Sequence, residues 1–356
     1  MLKVITDYRF VLVLDILSTY SKSRKAEVVL DILVTGGAGY IGSHTCKALS
    51  EAGCQPIVFD NLIYGHEWAV KWGPLEVGDI LDATALDAVF EKYRPSAVMH
   101  FAAYAYVGES VSDPEKYYNN NVGGTLALLN AMRRHGVDKL IFSSSCATYG
   151  APQRLPITEE HPQMPINPYG QSKLMVEQIL QDFDRAYGMR SISLRYFNAA
   201  GADPEGLIGE DHDPETHLIP IALDVARNRR ALINIFGDDY DTQDGTCIRD
   251  YVHVSDLADA HVLALQALQR GEPTGAYNLG NGSGFSVREV IGAVEKVAGK
   301  RIETRVLPRR NGDPDVLLAD SSLVRRSLGW SPKIIKLEEI ISTAWAWYEK
   351  QASANS

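Results

Sequence analysis

From Val28 onward the chain alternates short β-branched apolar runs with longer stretches whose apolar residues recur every three or four positions. Val28–Val34, Pro56–Phe59, Leu75–Val77, Ala97–Phe101, Lys139–Ser143 and Ser191–Leu194 predict strands, and the stretches between them predict helices. Such alternation predicts an α/β fold, a doubly wound parallel sheet of Rossmann type. After Asn198 the texture changes. Asp203–Pro214 and Asp238–Gly245 predict long loops, and Lys333–Trp347 predicts a closing amphipathic helix. The pattern divides the chain into a nucleotide-binding unit, 29–198, and a smaller mixed α/β unit, 199–349, some of whose segments return to the first. Residues 350–356 form a tail. In residues 1–28 the apolar run Phe10–Leu17 is interrupted by Asp15 and followed by the polar, basic Ser18–Lys25. That is not the pattern of a signal peptide. The segment reads as an extension outside the folded unit, with an extra edge strand as the alternative.

Composition narrows the function. A chain of 356 residues can bury a large core, and no run is long and apolar enough to predict a transmembrane helix. A net charge of −10 removes general electrostatic support for nucleic-acid binding. An anionic small molecule must then be held by arginines concentrated locally. Cys46, Cys54, Cys146 and Cys247 lack Cys-x-x-Cys spacing, which argues against zinc or a disulfide framework and fits a reducing compartment, the cytoplasm. The nine histidines show no pair at metal-ligand spacing, and His100 and His253 read as packing or hydrogen-bonded residues. No metal is expected.

The first strand runs directly into Thr35–Gly36–Gly37–Ala38–Gly39–Tyr40–Ile41–Gly42, then a helical segment, then a second strand ending at Asp60. Small residues in such a turn let the backbone amides of the following helix approach a pyrophosphate. Asp60, 18 residues past the last glycine, can accept from an adenosine ribose and repels a 2′-phosphate, which favours NAD over NADP. Asp79, just past the third strand, can accept from an adenine amino group or be a plain turn acid. Asn119–Asn121 can cap the following helix, or one of them can hold a water.

A second site candidate is Asn167–Pro168–Tyr169–Gly170–Gln171–Ser172–Lys173. Pro168 suits the first helical position, and Tyr169 and Lys173, four apart, share one face. An ammonium held near a phenol favours the phenolate. Lowering a tyrosine pKa by about three units needs roughly 4 kcal/mol, part from Lys173 and more from a nicotinamide charge. Alone, such a pair is often only solvated surface.

In company it is not. Val34–Gly42, Phe101–Ala103 with Val107–Ser110, Phe142–Ser145, Asn167–Lys173, Leu194–Asn198, Asp244–Thr246 with Arg249–Tyr251, and Arg309–Arg310 with Gly312–Asp313 resemble the extended short-chain dehydrogenase/reductase family. Within it they are most similar to the UDP-glucose 4-epimerases, and the similarity covers nearly everything but the N-terminal extension. The resemblance implies NAD-dependent interconversion of UDP-glucose and UDP-galactose through a transient 4-keto sugar, as in galactose metabolism. It implies Tyr169 as the base, supported by Lys173, with Ser145 hydrogen-bonded to the sugar oxygen. Ser145 as a plain helix or turn cap is the alternative. The implied NAD positions are Gly36, Gly39, Tyr40, Ile41 and Gly42 in the turn, and Asp60, Asn61, Asp79 and Ile80 beyond it. Phe101, Ala102, Asn120, Lys173 and Tyr196 complete them. For the nucleotide sugar they are Asn198, Leu218, Asn234, Phe236, Arg249, Arg310 and Asp313, with Ser145 and Tyr169 at the reacting carbon. Arg249 and Arg310 fit the cationic pair an acidic protein needs for a diphosphate.

The resemblance also implies a homodimer, through the Pro168–Tyr187 helix and the one after Pro114. Leu174, Val176, Ile179, Leu180 and Phe183 supply apolar positions, although an intramolecular core can use them equally. Three departures stand out. Ala105 replaces a lysine that touches the cofactor in familiar bacterial members. Cys146–Ala147–Thr148 stands where Ala-Thr-Val is common, a pattern similar to plant UDP-arabinose 4-epimerases. Leu317 falls where bulk governs N-acetylated sugars. A UDP-pentose or UDP-N-acetylhexosamine 4-epimerase is therefore an alternative, as is a non-catalytic NAD sensor. A 4,6-dehydratase needs an acid pair at positions held by Cys146 and Ala147.

Overall fold

A computed structural model of the chain describes residues 29–310 and 312–354. The expected N-terminal extension and its edge-strand alternative lie outside the described residues. Strand β1 (Asp31–Thr35) leads to helix α1 (Tyr40–Glu51), β2 (Gln55–Asp60), β3 (Leu75–Val77), α2 (Ala83–Tyr93) and β4 (Ala97–His100). Short helices α3 (Val107–Ser112) and α4 (Pro114–Tyr117) pass through a π-turn, Tyr118–Gly124, into α5 (Thr125–Arg134). Then come β5 (Lys139–Ser145), α6 (Pro168–Tyr187) and β6 (Arg190–Tyr196). The second half holds β7 (Asn198–Ala200), α7 (Leu218–Ala226), β8 (Ile233–Phe236), β9 (Ile248–His253), α8 (Val254–Arg270) and β10 (Gly275–Leu279). It closes with β11 (Gly284–Ser286), α9 (Val287–Ala298), β12 (Thr304–Leu307), β13 (Val316–Leu317), α10 (Ser322–Leu328) and α11 (Leu337–Ala354).

Seven strands form one sheet in the order β10-β6-β5-β4-β1-β2-β3, every pair parallel. Both faces of such a sheet are covered, so its strands are apolar throughout. Ile32 and Val34 pack on one side with Leu257, Leu265 and Trp330; Leu33 packs on the other with Phe59, Phe90, Leu128, Phe142 and Val176. The order turns about β1, with β2 on one side and β4 on the other. A doubly wound sheet binds ligands beyond the carboxyl ends of its strands at that reversal. A third core joins α7, β8, α9 and α11 through Leu223, Ile235, Val290 and Ile340. It underlies a second sheet, β11-β9-β13 with β7 beside β9, and the pair β12-β8.

Several predicted boundaries shift for identifiable reasons. β5 and β6 run past their apolar runs to Ser145 and Tyr196, because Ser144 still pairs with Arg195 and Ser145 with Tyr196. The closing helix begins at Leu337, not Lys333. The Lys333 and Ile334 amides donate to the buried Asp256 carboxylate at 2.9 and 3.0 Å, which holds that stretch out of the helix. The helix then continues to Ala354, so most of the expected tail is helical. Asn119–Asn121 caps nothing, because it lies inside the continuous helical path from α4 to α5.

Candidate active site

Three local choices converge Ser145, Tyr169 and Lys173. Ser145 ends β5, and its Oγ accepts from Ala147 N–H at 3.2 Å, capping a single 3₁₀ turn. The cap role and the site role coexist, since an Oγ that accepts from an amide still has its own hydrogen to donate. Helix α6 starts with Asn167 as N-cap, its side chain accepting from Gly170 N–H at 2.8 Å, and with Pro168 at the first position. Gly170 lets that start lie against the Ser145 turn: a Cβ there would be 2.4 Å from Ala147 O. Tyr169 is thereby brought into hydrogen-bonding range of Ser145, which pulls its pKa down; burial is the larger effect and pushes it up to about 12.

Lys173 shares a helical face with Tyr169, as the spacing predicts, but its hydrogen bond goes elsewhere. Its Nζ donates to Ser143 O at 2.7 Å and sits 4.9 Å from the Phe142 ring centre and 5.9 Å from that of Tyr169. The residue is 3% exposed, and burial drives it down to about 7, with Glu177 opposing. The protein alone therefore holds a protonated phenol beside a weakly basic amine. Ser143 in turn shares a very short hydrogen bond with Tyr196.

The first turn is built to receive a dinucleotide. Gly36 has φ +73°, and a Cβ there would be 2.5 Å from Ala102 N; one on Gly42 would be 2.2 Å from Gly36 O. Strand end, turn and helix are thus in backbone contact. Gly39 caps α1 with no side chain, and no acid lies in its first turn. The Tyr40, Ile41 and Gly42 amides are left without intrahelical acceptors, a positive end suited to a pyrophosphate. Buried Asp60 accepts from Ala38 N–H at 3.0 Å and Leu62 N–H at 2.9 Å. Asp79 accepts from Asn61 Nδ2 at 2.9 Å and Leu81 N–H at 2.8 Å. Ile80 packs against Gly124, and Phe101 lies 4.7 Å ring to ring from His261. Asn120 donates to Asn121, which accepts from Tyr104 N–H and donates to Ser172 Oγ, joining the π-turn to α6. Ala105, in the lysine's place, is exposed. These residues fit a bound NAD.

On the other side, Asn234 and Phe236 alternate onto one face of β8. The Arg310 guanidinium lies 3.9 Å from the Phe236 ring centre. Arg249 on β9 pairs with Asp313 at 3.3 Å and donates to Pro314 O. Leu317 pairs in register with Arg249 and packs, with Cys146, on Tyr149 and Phe197. Asn198 is committed to Asp250 O at 2.9 Å, and Leu218 opens α7 against the third core. Burial pushes the Cys146 thiol up to about 12.

Sequence reasoning passed over a supporting pair. Glu177 and Arg195, both nearly buried, form an ion pair below the site. Glu177 also accepts from Ser144, and Arg195 donates to Tyr149 at 2.8 Å. Glu177 follows Lys173 by four positions on the same helical face, which was the available signal.

A model of the NAD dependent epimerase/dehydratase family matches residues 32–280. A UDP-glucose 4-epimerase of Rhizobium leguminosarum bv. trifolii is 53% identical over 319 residues, covering 90% of this chain and 97% of that one. The crystal structure of UDP-glucose 4-epimerase from Brucella ovis in complex with NAD matches with a TM-score of 0.88 at 53% identity, covering 89% of this chain and 98% of that one. The UDP-glucose-4-epimerase from Stenotrophomonas maltophila, with bound NAD and formylated UDP-arabinopyranose, matches with a TM-score of 0.88 at 40% identity over 91% and 99% of the two chains.

Proposed function

The chain belongs to the NAD dependent epimerase/dehydratase family, and from that premise we propose that it interconverts UDP-glucose and UDP-galactose by inverting C4. The convergence of Ser145, Tyr169 and Lys173 at the carboxyl end of β5, in the same sheet as the strand that ends in the glycine turn, carries this reading. NAD, when bound, supplies a hydride acceptor that takes hydrogen from C4 and returns it, and a positive charge on its nicotinamide. Gly36–Gly42 and Asp60 would hold the dinucleotide, and Lys173 and Tyr196 would contribute contacts to it. Tyr169, as phenolate, takes the proton of the 4-hydroxyl and later gives it back. Ser145 donates to the sugar oxygen. Between the two transfers the 4-keto sugar turns over in the pocket and presents its opposite face. Arg249 and Arg310 hold the UDP diphosphate, with Asn198, Leu218, Asn234, Phe236 and Asp313 around the nucleotide sugar. A dehydratase is disfavoured because Ala147 has no acid and the Cys146 thiol stays protonated.

Under this reading residues 29–198 with α8 and β10 serve the dinucleotide, and the remainder of 199–349 serves the sugar nucleotide. The protein works as a homodimer in the cytoplasm. Val176 and Leu180 are taken by the chain's own core, against which Ile179 and Phe183 also pack in part; the open sides of those two, with half-buried Leu174 and exposed Val107 and Val111, are offered to the partner. Sedimentation tests that pairing. Among the described residues no helix is long and apolar enough to cross a membrane, and the four thiols are free.

Purified protein incubated with UDP-galactose is expected to form UDP-glucose over many turnovers without added reductant. Stoichiometric binding with no product would identify a sensor instead. UDP-xylose and UDP-N-acetylglucosamine, scored for their 4-epimers, define the range that Leu317 and Cys146 permit.

A further inference from the structure

The loop from β7 to α7 carries Glu210, His212, Glu215 and His217, and one ligand atom from each lies within 4.8 Å of all the others. Glu210 Oε1 is 2.7 Å from His217 Nδ1 and 3.2 Å from His212 Nδ1. Glu215 places Oε1 3.2 Å from His217 Nδ1 and Oε2 3.8 Å from His212 Nδ1. Four donors about 2.05 Å from a tetrahedral ion stand about 3.3 Å apart. The Glu210–His217, Glu210–His212 and Glu215–His217 separations lie at or below that edge length, and every separation is within 4.8 Å. Despite this closeness, buried Glu210 Oε1 and His212 Nδ1 have no hydrogen bond of acceptable geometry. We propose that these four residues form a structural site for a zinc-class divalent cation.

The donor set selects the ion. Two imidazole nitrogens with two carboxylate oxygens suit Zn²⁺ and its first-row neighbours, whereas Mg²⁺ and Ca²⁺ prefer oxygen alone. Two carboxylates also balance the double charge. Four protein donors close the coordination sphere, which marks a structural rather than a catalytic site. The surroundings are ordered to match. Glu215 Oε1 is fixed at 2.7 Å by both the Thr216 and His217 amides. The rings of Tyr40 and Tyr106 stand edge-on to His212, and Tyr40 Oη donates to Gly201 O at 2.6 Å. Tyr40 is the first residue of α1. The ion would therefore brace the loop against the glycine turn. The sequence signal is Glu-x-His-x-x-Glu-x-His, and its histidines, five apart, correct the expectation that no two histidines stand at metal-ligand spacing.

The rival occupant is a proton: a His217 cation paired with two carboxylates and no metal. Full-length protein, stripped with a chelator and reloaded with Zn²⁺, is expected to retain about one equivalent through desalting and to melt several degrees higher. Cobalt in place of zinc should give the intense visible bands of a tetrahedral nitrogen–oxygen site. His212→Ala/His217→Ala and Glu210→Gln should lose both the metal and the melting shift. Wild-type retention no greater than that of the double variant, or melting unmoved by zinc, overturns the proposal. So does a thiolate-to-cobalt charge-transfer band, which would place the ion on a cysteine. If the variants do not fold, the wild-type cobalt spectrum decides: weak octahedral or absent bands reject the site.

Discussion

Replacing Lys173 by methionine is expected to destroy turnover and yet, at neutral pH, to stabilise the protein. Lys173 is buried, and burial takes its pKa from 10.5 to about 7, against the pull of Glu177. Between those values the unfolded chain binds a proton that the folded chain does not, so this residue makes stability rise with pH across that window. The cost of burying it is about 4 kcal/mol at pH 7 and falls to about 1 kcal/mol at pH 10. Methionine removes that cost but forfeits the bond to Ser143 O and leaves a buried carbonyl short of a donor, about 1–3 kcal/mol. The variant should therefore be more stable than wild type by about 1–3 kcal/mol at pH 7 and less stable by up to about 2 kcal/mol at pH 10. Urea unfolding of both proteins at several pH values, at matched cofactor content, reads the difference directly. A variant less stable than wild type at pH 7, with no crossing as pH rises, would refute the assignment of Lys173 as a buried, weakly basic amine.

Tyr169→Phe should lower kcat by several orders of magnitude while NAD stays bound, measured by coupled assay and by cofactor absorbance; near-normal turnover would remove Tyr169 from its role. Ser145→Ala should cost about 10²-fold in kcat, the usual scale for one positioned donor, and should raise the pH at which activity appears, because Ser145 is the group that pulls Tyr169 down. In Gly170→Ala the new methyl would meet Ala147 O at 2.4 Å, so kcat should drop with a stability loss of about 1–3 kcal/mol; activity within twofold of wild type would mean α6 and the Ser145 turn are not held in contact. Glu177→Gln leaves Arg195 buried without its carboxylate and should cost about 3–5 kcal/mol in urea unfolding, whereas a shift below 1 kcal/mol would show that solvent reaches the pair.

Local sequence was enough for the fold class, the glycine turn and the helix start at Pro168. Each depends on neighbours in the chain: a β-branched run, residues without side chains, an Asn-Pro cap. Apolar periodicity located six of the seven central strands, but it ended β5 and β6 too early, because Ser144 and Ser145 are polar residues held by ladder pairs with Arg195 and Tyr196. The seventh strand, β10, follows from no local signal and exists because α8 carries the chain back over the sheet. The closing helix was misplaced for a similar reason, since Asp256, 77 residues from Lys333, holds the intervening backbone.

The sequence by itself determined which chemical groups are present and on which short elements they sit. Tertiary structure decided what those groups meet. Lys173 is four residues from Tyr169 in the chain, but the carbonyl end of β5 captures its ammonium, so burial weakens it as a cation. Glu177 on α6 meets Arg195 on β6 only because those two elements pack together. Periodicity is a property of one segment. Desolvation and charge pairing are set by everything packed around a residue, and these decide whether a phenol, an amine or a histidine carries its proton.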